Sequence, residues 1–206
     1  MDGNKTLYFC ITTALSLFVP APGRFVFAFY LLLLFNLQVF LLTLLFHGVD
    51  RLRIGALKEP VAIFSVVFLT VLYKQLLYAV CPLAALTLGF CAYLPSISVY
   101  TLTFFFGRRE GGLAARLSGN MRACAVVSAV CAVLFLLRDL LGYGTLTLPG
   151  WRRIVYLRLP FAPGRAHAGA FLSTIPGALV FLSVLLAAFL FCRRKLDAAA
   201  RAGGGL

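Results

Sequence analysis

From Phe25 to Phe46 the chain carries no charged side chain, and apolar stretches of the same character recur almost to its end. A continuous apolar run of about 20 residues is what a helix needs to cross the hydrocarbon of a bilayer. At that depth every backbone N–H and C=O must be satisfied within the chain, so such a run folds as a helix. A membrane barrel would instead show alternating runs of about 10 residues. Composition closes the other routes: the chain is 62% hydrophobic and 12% charged, with a mean hydropathy of +0.99. A soluble domain has about 25% charged residues, and a water-soluble fold of this sequence would expose large apolar patches. Disorder requires low hydrophobicity. The expected fold is all-α, a polytopic membrane protein.

The apolar pattern divides residues 1–206 into one membrane domain of six spans, at about 6–19, 25–46, 61–80, 83–106, 123–137 and 169–192. The first is short and stopped by Pro20-Ala-Pro-Gly23. The second carries Asn36 and Gln38. Cys81-Pro82 makes the turn between the third and fourth, because proline ends a helix at the residue before it. Pro95 interrupts the fourth, and Arg138-Asp139 closes the fifth. Residues 193–206 form a basic, then Ala/Gly-rich tail with a frayed end. Lys5, the apolar stretch after it and Val19-Pro-Ala21 have the form of a signal peptide, but Pro22 would directly follow the cut and argues against cleavage.

The chain holds 19 basic against 6 acidic residues. The basic residues lie between apolar runs, where they set topology and meet anionic headgroups. No basic face has a soluble domain to sit on, so nucleic acid is not an expected partner. With the N-terminus inside, twelve basic residues fall on the inner side and five on the outer, with Lys74 and Arg138 in or at the edge of spans. That bias places both termini in the cytoplasm. The stretch from Pro149 to Arg165 mixes Trp151 and Tyr156 with arginines, the composition of a segment lying in the interface. The six cysteines sit within or at the ends of apolar runs and form no Cys-x-x-Cys pair, so buried small apolar side chains are the plain reading.

Six spans form two sets of three, which makes the second set inverted if the halves are related. Their first members, spans one and four, are the short and the proline-interrupted ones. Such a pair at matching places is the best sequence pointer to a midplane site, because broken helices free backbone groups that lipid cannot satisfy. Ser16 and Pro20 on one span, and Pro95, Ser98 and Thr101 on the other, are the candidates. The plain alternative is that these hydroxyls bond their own helices. Ionisable groups within spans are also candidates for an ion pair or path. Lys74 either serves such a path or snorkels outward. Arg138 and Asp139 either close the helix end as an ion pair or bond a loop or the backbone. His47 and His167 lie at span ends without a second histidine at ligand spacing. No phosphate loop, nucleophile elbow or carboxylate pair is present, so no catalytic residue is assigned.

The run Leu137-Arg-Asp-Leu-Leu-Gly-Tyr-Gly-Thr-Leu146 resembles the "LRE-[IL][IL]-G-x-GTL" signature of the D- and E-type membrane subunits of the sodium-translocating NADH:quinone oxidoreductase and the Rnf electron-transport complex. Asp139 stands at the family's Glu, and Tyr143 where Asn is frequent. Ile175-Pro-Gly-Ala178 is similar to the family's "PPGAF", and Leu88-Gly89 with Pro95 to its fourth helix. The resemblance implies six helices and a cytoplasmic N-terminus. It makes Gly142, Gly144, Pro176 and Gly177 structural motif residues, with 137–146 a hinge of the fifth span in which the glycines permit a turn.

In the family, cysteines of helices one and four join those of a sister six-helix subunit to hold a two-iron, two-sulfur cluster. The matching places here are Ala14 and either Thr101 or Val99, none of which is cysteine. A cluster needs thiolate or imidazole ligands. No cofactor is therefore expected on this chain alone, the shared cluster is in doubt, and only a relocated site using Cys10 and Cys91 would rescue it. The expectation is an integral subunit of an Rnf-like, ion-translocating oxidoreductase in a bacterial inner membrane. Its partners would be the sister subunit, other redox subunits and membrane lipid. The alternative is the membrane subunit of a vitamin-type small-molecule transporter.

Overall fold

The computed structural model describes residues 13, 15–51, 58–97, 112–150, 153–158 and 170–203. It is 85% helical. Helix α1 spans Phe25–Arg51, α2 Lys58–Val80, α3 Pro82–Leu88, α4 Leu113–Tyr143, α5 Ala170–Ser173 and α6 Ile175–Gly203. Three helical segments, Phe25–Arg51, Pro60–Val80 and Leu113–Tyr143, are long and apolar enough to cross a membrane, and Pro82–Ile97 and Ile175–Ala188 are shorter apolar helices. Phe64, Phe68, Leu72 and Leu76 lie exposed along α2. They recur at helical spacing and form a wholly apolar stripe of the kind that faces lipid. The protein is thus a predominantly helical membrane protein. The first expected span falls largely outside the described residues, as do Cys10, Ala14, Ser98, Val99, Thr101 and His167.

The densest packing is between α1 and α4. Its core gathers Leu31, Leu34 and Phe35 of α1 with Cys124, Val127, Cys131 and Phe135 of α4. Polar pairs bond the two helices at intervals. Asp50 meets Arg116 at 2.8 Å, Thr43 accepts from Asn120 at 3.1 Å, and Asn36 donates to Ser128 at 2.8 Å. As the number falls on α1 it rises on α4, so the helices run antiparallel. On α1 these residues are seven apart, two helical turns, and so share one face.

Four local features depart from the pattern read in the sequence. First, α4 begins at Leu113 rather than 123 and ends at Tyr143 rather than 137. Its terminator is Gly144, which is left-handed at φ +61° and donates to Leu140 O at 3.0 Å. A left-handed residue after the last turn is the favoured helix stop. Gly142 lies inside the helix, so the turn of the 137–146 motif belongs to Gly144 alone. Second, the interruption of the fourth apolar stretch precedes Pro95. α3 ends at Gly89 (φ +43°), residues Gly89–Tyr93 form a 3₁₀ turn, and helix resumes at 94–97. Pro95 sits in the first turn of the resumed helix, where a missing N–H costs nothing.

Third, the fold is not helical throughout. Thr145–Pro149 (β1) pairs antiparallel with Ile154–Arg158 (β2), with Thr145 opposite Arg158 and Pro149 opposite Ile154. The stretch read as a purely interfacial segment therefore begins as a hairpin. Gly150 closes its turn by donating to Arg153 O at 3.1 Å. Fourth, the last helix does not fray at 198 but continues to Gly203, since the Ala, Arg, Lys and Leu of the tail are strong helix formers. Cys81-Pro82 behaves as expected. Cys81 N bonds Leu77 O at 2.8 Å and Ala85 N bonds Cys81 O at 3.1 Å, which joins α2 to α3 across a bend.

Candidate functional site

Arg138 and Asp139 lie at the centre of the structure's most heavily bonded region, and they are 1% and 0% exposed. Neighbours on a helix point about 100° apart, so the two side chains take separate partners. Arg138 points toward the proline-stopped first segment and the entry to the last helix. Its Nη1 donates to Phe18 O at 3.1 Å and Ala21 O at 3.0 Å. Its Nε donates to Leu172 O at 3.0 Å, and Nη2 to Ser173 O at 3.1 Å and Thr174 O at 3.4 Å. These carbonyls lie at the ends of two helical segments, where a helix leaves its last carbonyls without amide partners; Thr174 O, at the longest distance, also accepts from Ala178 N at 3.0 Å. The guanidinium carbon also stands 5.2 Å from the centre of the Phe18 ring. Gly23 makes room for this group, because a Cβ there would come 2.9 Å from Arg138 Nε.

Asp139 serves the opposite kind of helix end. Its Oδ2 accepts from Phe25 N at 3.2 Å, Thr147 N at 2.8 Å and Thr147 Oγ1 at 2.7 Å. Thr147 Oγ1 in turn accepts from Val26 N at 3.1 Å. A carboxylate on α4 thus caps the N-terminus of α1 across space, where negative charge is favoured, and fixes β1 by the same oxygen. The expected ion-pair closure of the helix end is replaced by two bonding sets, one on carbonyls and one on amides.

Thr174 caps α6, its Oγ1 accepting from Gly177 N at 3.2 Å. Pro176 falls in the first turn of that helix, and Gly177 has to be glycine because a Cβ would overlap the Phe171 carbonyl. Arg138 thus bonds the three carbonyls, of Leu172, Ser173 and Thr174, that directly precede the 175–178 run.

A second polar group lies further into the helices. Gln38, 1% exposed, donates through Nε2 to Thr70 Oγ1 at 2.8 Å and Ser96 Oγ at 3.0 Å, and these hydroxyls are 3.0 Å apart. Thr70 also donates to Val66 O at 2.8 Å. Gln38 Oε1 is buried without a hydrogen-bond partner. Reversing the amide would only move the unpaired end to nitrogen. The cluster joins α1 and α2 to the helical turn that resumes after the break, through the Ser96 side chain.

Ser16 bonds its own segment, donating to Thr13 O at 3.0 Å, as the plain reading of these hydroxyls expects. The Cys91 thiol donates to Pro20 O at 3.2 Å, which brings the two irregular stretches into contact. Lys74 is half-buried, 5.9 Å from the centre of the Tyr93 ring. Its ammonium takes an aromatic face in place of an acidic partner. Among the described residues no group of three or more His, Cys, Asp or Glu side chains gathers. Of the two thiols of the relocated site, Cys91 is turned to the Pro20 carbonyl and Cys10 lies outside the described residues. Sequence reasoning named Arg138 and Asp139 but not Thr70, Thr147 or Thr174, and it named Gly23 only as part of the stop after the first span. Their signal was the pairing of small polar residues with helix ends, which no single segment reveals. Compared with protein-family models and with curated proteins, the chain matches none.

Proposed function

We propose that this protein is an integral subunit of a multi-subunit, Rnf-like electron-transport complex. It would have six spans as two inverted halves and lie in a bacterial inner membrane with both termini cytoplasmic. In this reading it supplies helices and interfaces to an ion-translocating oxidoreductase, and its own thiols hold no cluster. The observation that carries the reading is the Arg138 tie. Arg138 lies in the run that resembles the family's first C-terminal motif, and it bonds the carbonyls of Leu172, Ser173 and Thr174, directly before the stretch that resembles the second, so the two resemblances fall on neighbouring parts of one structure.

A transporter subunit is the second reading. It is favoured by the buried Gln38–Thr70–Ser96 group, which places polar side chains among the helices where a pathway would need them.

The deciding experiment is purification of the tagged chain from native membranes in mild detergent, followed by peptide mass spectrometry and an NADH- or ferredoxin-driven electron-transfer assay. Co-purification with a second six-helix subunit and flavin-bearing partners is the expected outcome. Isolation with an ATP-hydrolysing partner and no redox subunit would replace this reading with the transporter.

A further inference from the structure

Where α1 begins and α4 ends, Arg24, Tyr143, Thr145, Tyr156 and Arg158 line an open pocket of about 360 Å³. Arg24 is held between two rings, its guanidinium carbon 5.1 Å from the centre of Tyr143 and 4.8 Å from that of Tyr156. The hairpin register sets Thr145 opposite Arg158. Tyr156 and Arg158 share a strand face, since side chains alternate along a strand. The lining therefore holds two guanidinium groups and three hydroxyls, with no carboxylate among them. Two cations sharing one pocket repel unless an anion sits between them. Forked N–H donors and hydroxyls around one space match the oxygens of a phosphate group.

The same register places Leu146, Leu148, Val155 and Leu157 on the other face of the hairpin. Leu148, Val155 and Leu157 are exposed there, Leu157 at 54%. An apolar face beside a cationic one, at the ends of two membrane-crossing helices, is the form of an element seated at headgroup depth. Tyrosines lining the pocket suit that boundary.

We propose that the Arg24–Arg158 pocket is a phosphate-group site that takes the headgroup of an anionic phospholipid, with the apolar face of the hairpin turned to the acyl chains. The site ties the outer end of the α1–α4 pair to lipid, and it stands whether the protein serves a redox complex or a transporter.

The test is native mass spectrometry on the delipidated full chain, titrated with phosphatidylglycerol or phosphatidylcholine. The wild type should hold phosphatidylglycerol more tightly than phosphatidylcholine, and Arg24→Gln/Arg158→Gln should weaken phosphatidylglycerol about thirtyfold, at roughly 1 kcal/mol for each of the two arginines near a lipid surface. Arg158→Gln alone changes an exposed side chain and leaves the packed rings in place, so it guards against misfolding and should give a partial loss. Arg201→Gln, which removes the same charge from the tail helix, should change nothing. Competition with inorganic phosphate separates the sources: displacement shows a site open to free phosphate as well, and retention a site that needs the lipid. Equal binding of the two lipids by the wild type, or undiminished phosphatidylglycerol binding by the double variant, would overturn the proposal.

Discussion

Replacing Arg138 with leucine removes the donor to five backbone carbonyls at once. Four of those bonds are between 3.0 and 3.1 Å and one is 3.4 Å. Two independent scales bound the cost. Hydrogen bonds within membrane proteins average about 0.6 kcal/mol each, because the unfolded chain in lipid also finds partners. Leaving a buried acceptor without a donor costs about 1–3 kcal/mol. The lower scale applied to all five bonds and the low end of the higher scale applied to the four short ones agree on roughly 3–4 kcal/mol. That is a large share of the 5–15 kcal/mol that typically separates folded from unfolded. Arg138→Lys keeps the charge but brings three donors on a point-like head, so it should recover only part of the loss. The assay is denaturant or thermal unfolding of purified protein in one detergent, followed by circular dichroism, alongside membrane abundance. Leucine should abolish or sharply lower the folded fraction, with lysine intermediate. An Arg138→Leu protein that melts with the wild type would refute the tie and leave the guanidinium without a structural task.

Asp139→Ala strips the acceptor from two backbone amides and should cost about 2–4 kcal/mol in the same unfolding assay. Asp139→Asn, which keeps an oxygen, should lose less. Gly144→Ala forces a side chain into a left-handed position and should destabilise by about 1–2 kcal/mol, whereas Gly142→Ala replaces glycine inside a helix and by propensity gains up to about 1 kcal/mol; the reverse order would move the hinge to 142. Gln38→Leu should change stability by under about 1 kcal/mol, because it removes an unpaired buried atom along with two intramembrane bonds. Unaltered transport or electron transfer in that stable variant would make the Gln38 group structural only. Reporter fusions after Lys58, Glu110 and the C-terminus should read cytoplasmic and one near Gly164 external, and an external C-terminus would refute the six-span topology.

Apolar runs located the three long helices, Phe25–Arg51, Pro60–Val80 and Leu113–Tyr143, because a bilayer sets a length that sequence displays directly. They said little about which faces meet, because lipid and protein core are both apolar and Phe64 on lipid looks like Phe35 in the core. The faces are marked instead by small polar residues. Asn36, Thr43 and Asp50 stood in the sequence seven apart, but their partners Ser128, Asn120 and Arg116 follow a different spacing and belong to another helix. The first strand of the hairpin carried a period-two signal, Thr145-Leu-Thr-Leu148, while the second, Ile154-Val-Tyr-Leu157, is apolar or aromatic throughout. The hairpin's arginine and aromatic content pointed to the interface first and masked that alternation. Pro95 drew the break toward itself, although Gly89 supplies the positive φ at which the helix actually ends.

The arrangement around Arg138 also explains why the chain tolerates irregular backbone at this depth. Pro20 and Pro22 stop the first segment and α5 ends at Ser173, which leaves the carbonyls of Phe18, Ala21, Leu172 and Ser173 at helix ends where lipid offers no donor. A single side chain reaching both sets must be long, permanently charged and forked, and arginine alone meets those terms. It must also approach the backbone closely, which Gly23 allows by lacking a Cβ. Asp139, one residue on, answers the complementary demand of the α1 amides. The adjacent pair therefore closes three helix ends from one point on α4, with each charge directed at the backbone groups of opposite polarity. Stability of the break and stability of the α4 terminus are consequently one cooperative property, and the Arg138 and Asp139 substitutions should be less than additive when combined, as expected for groups sharing one network.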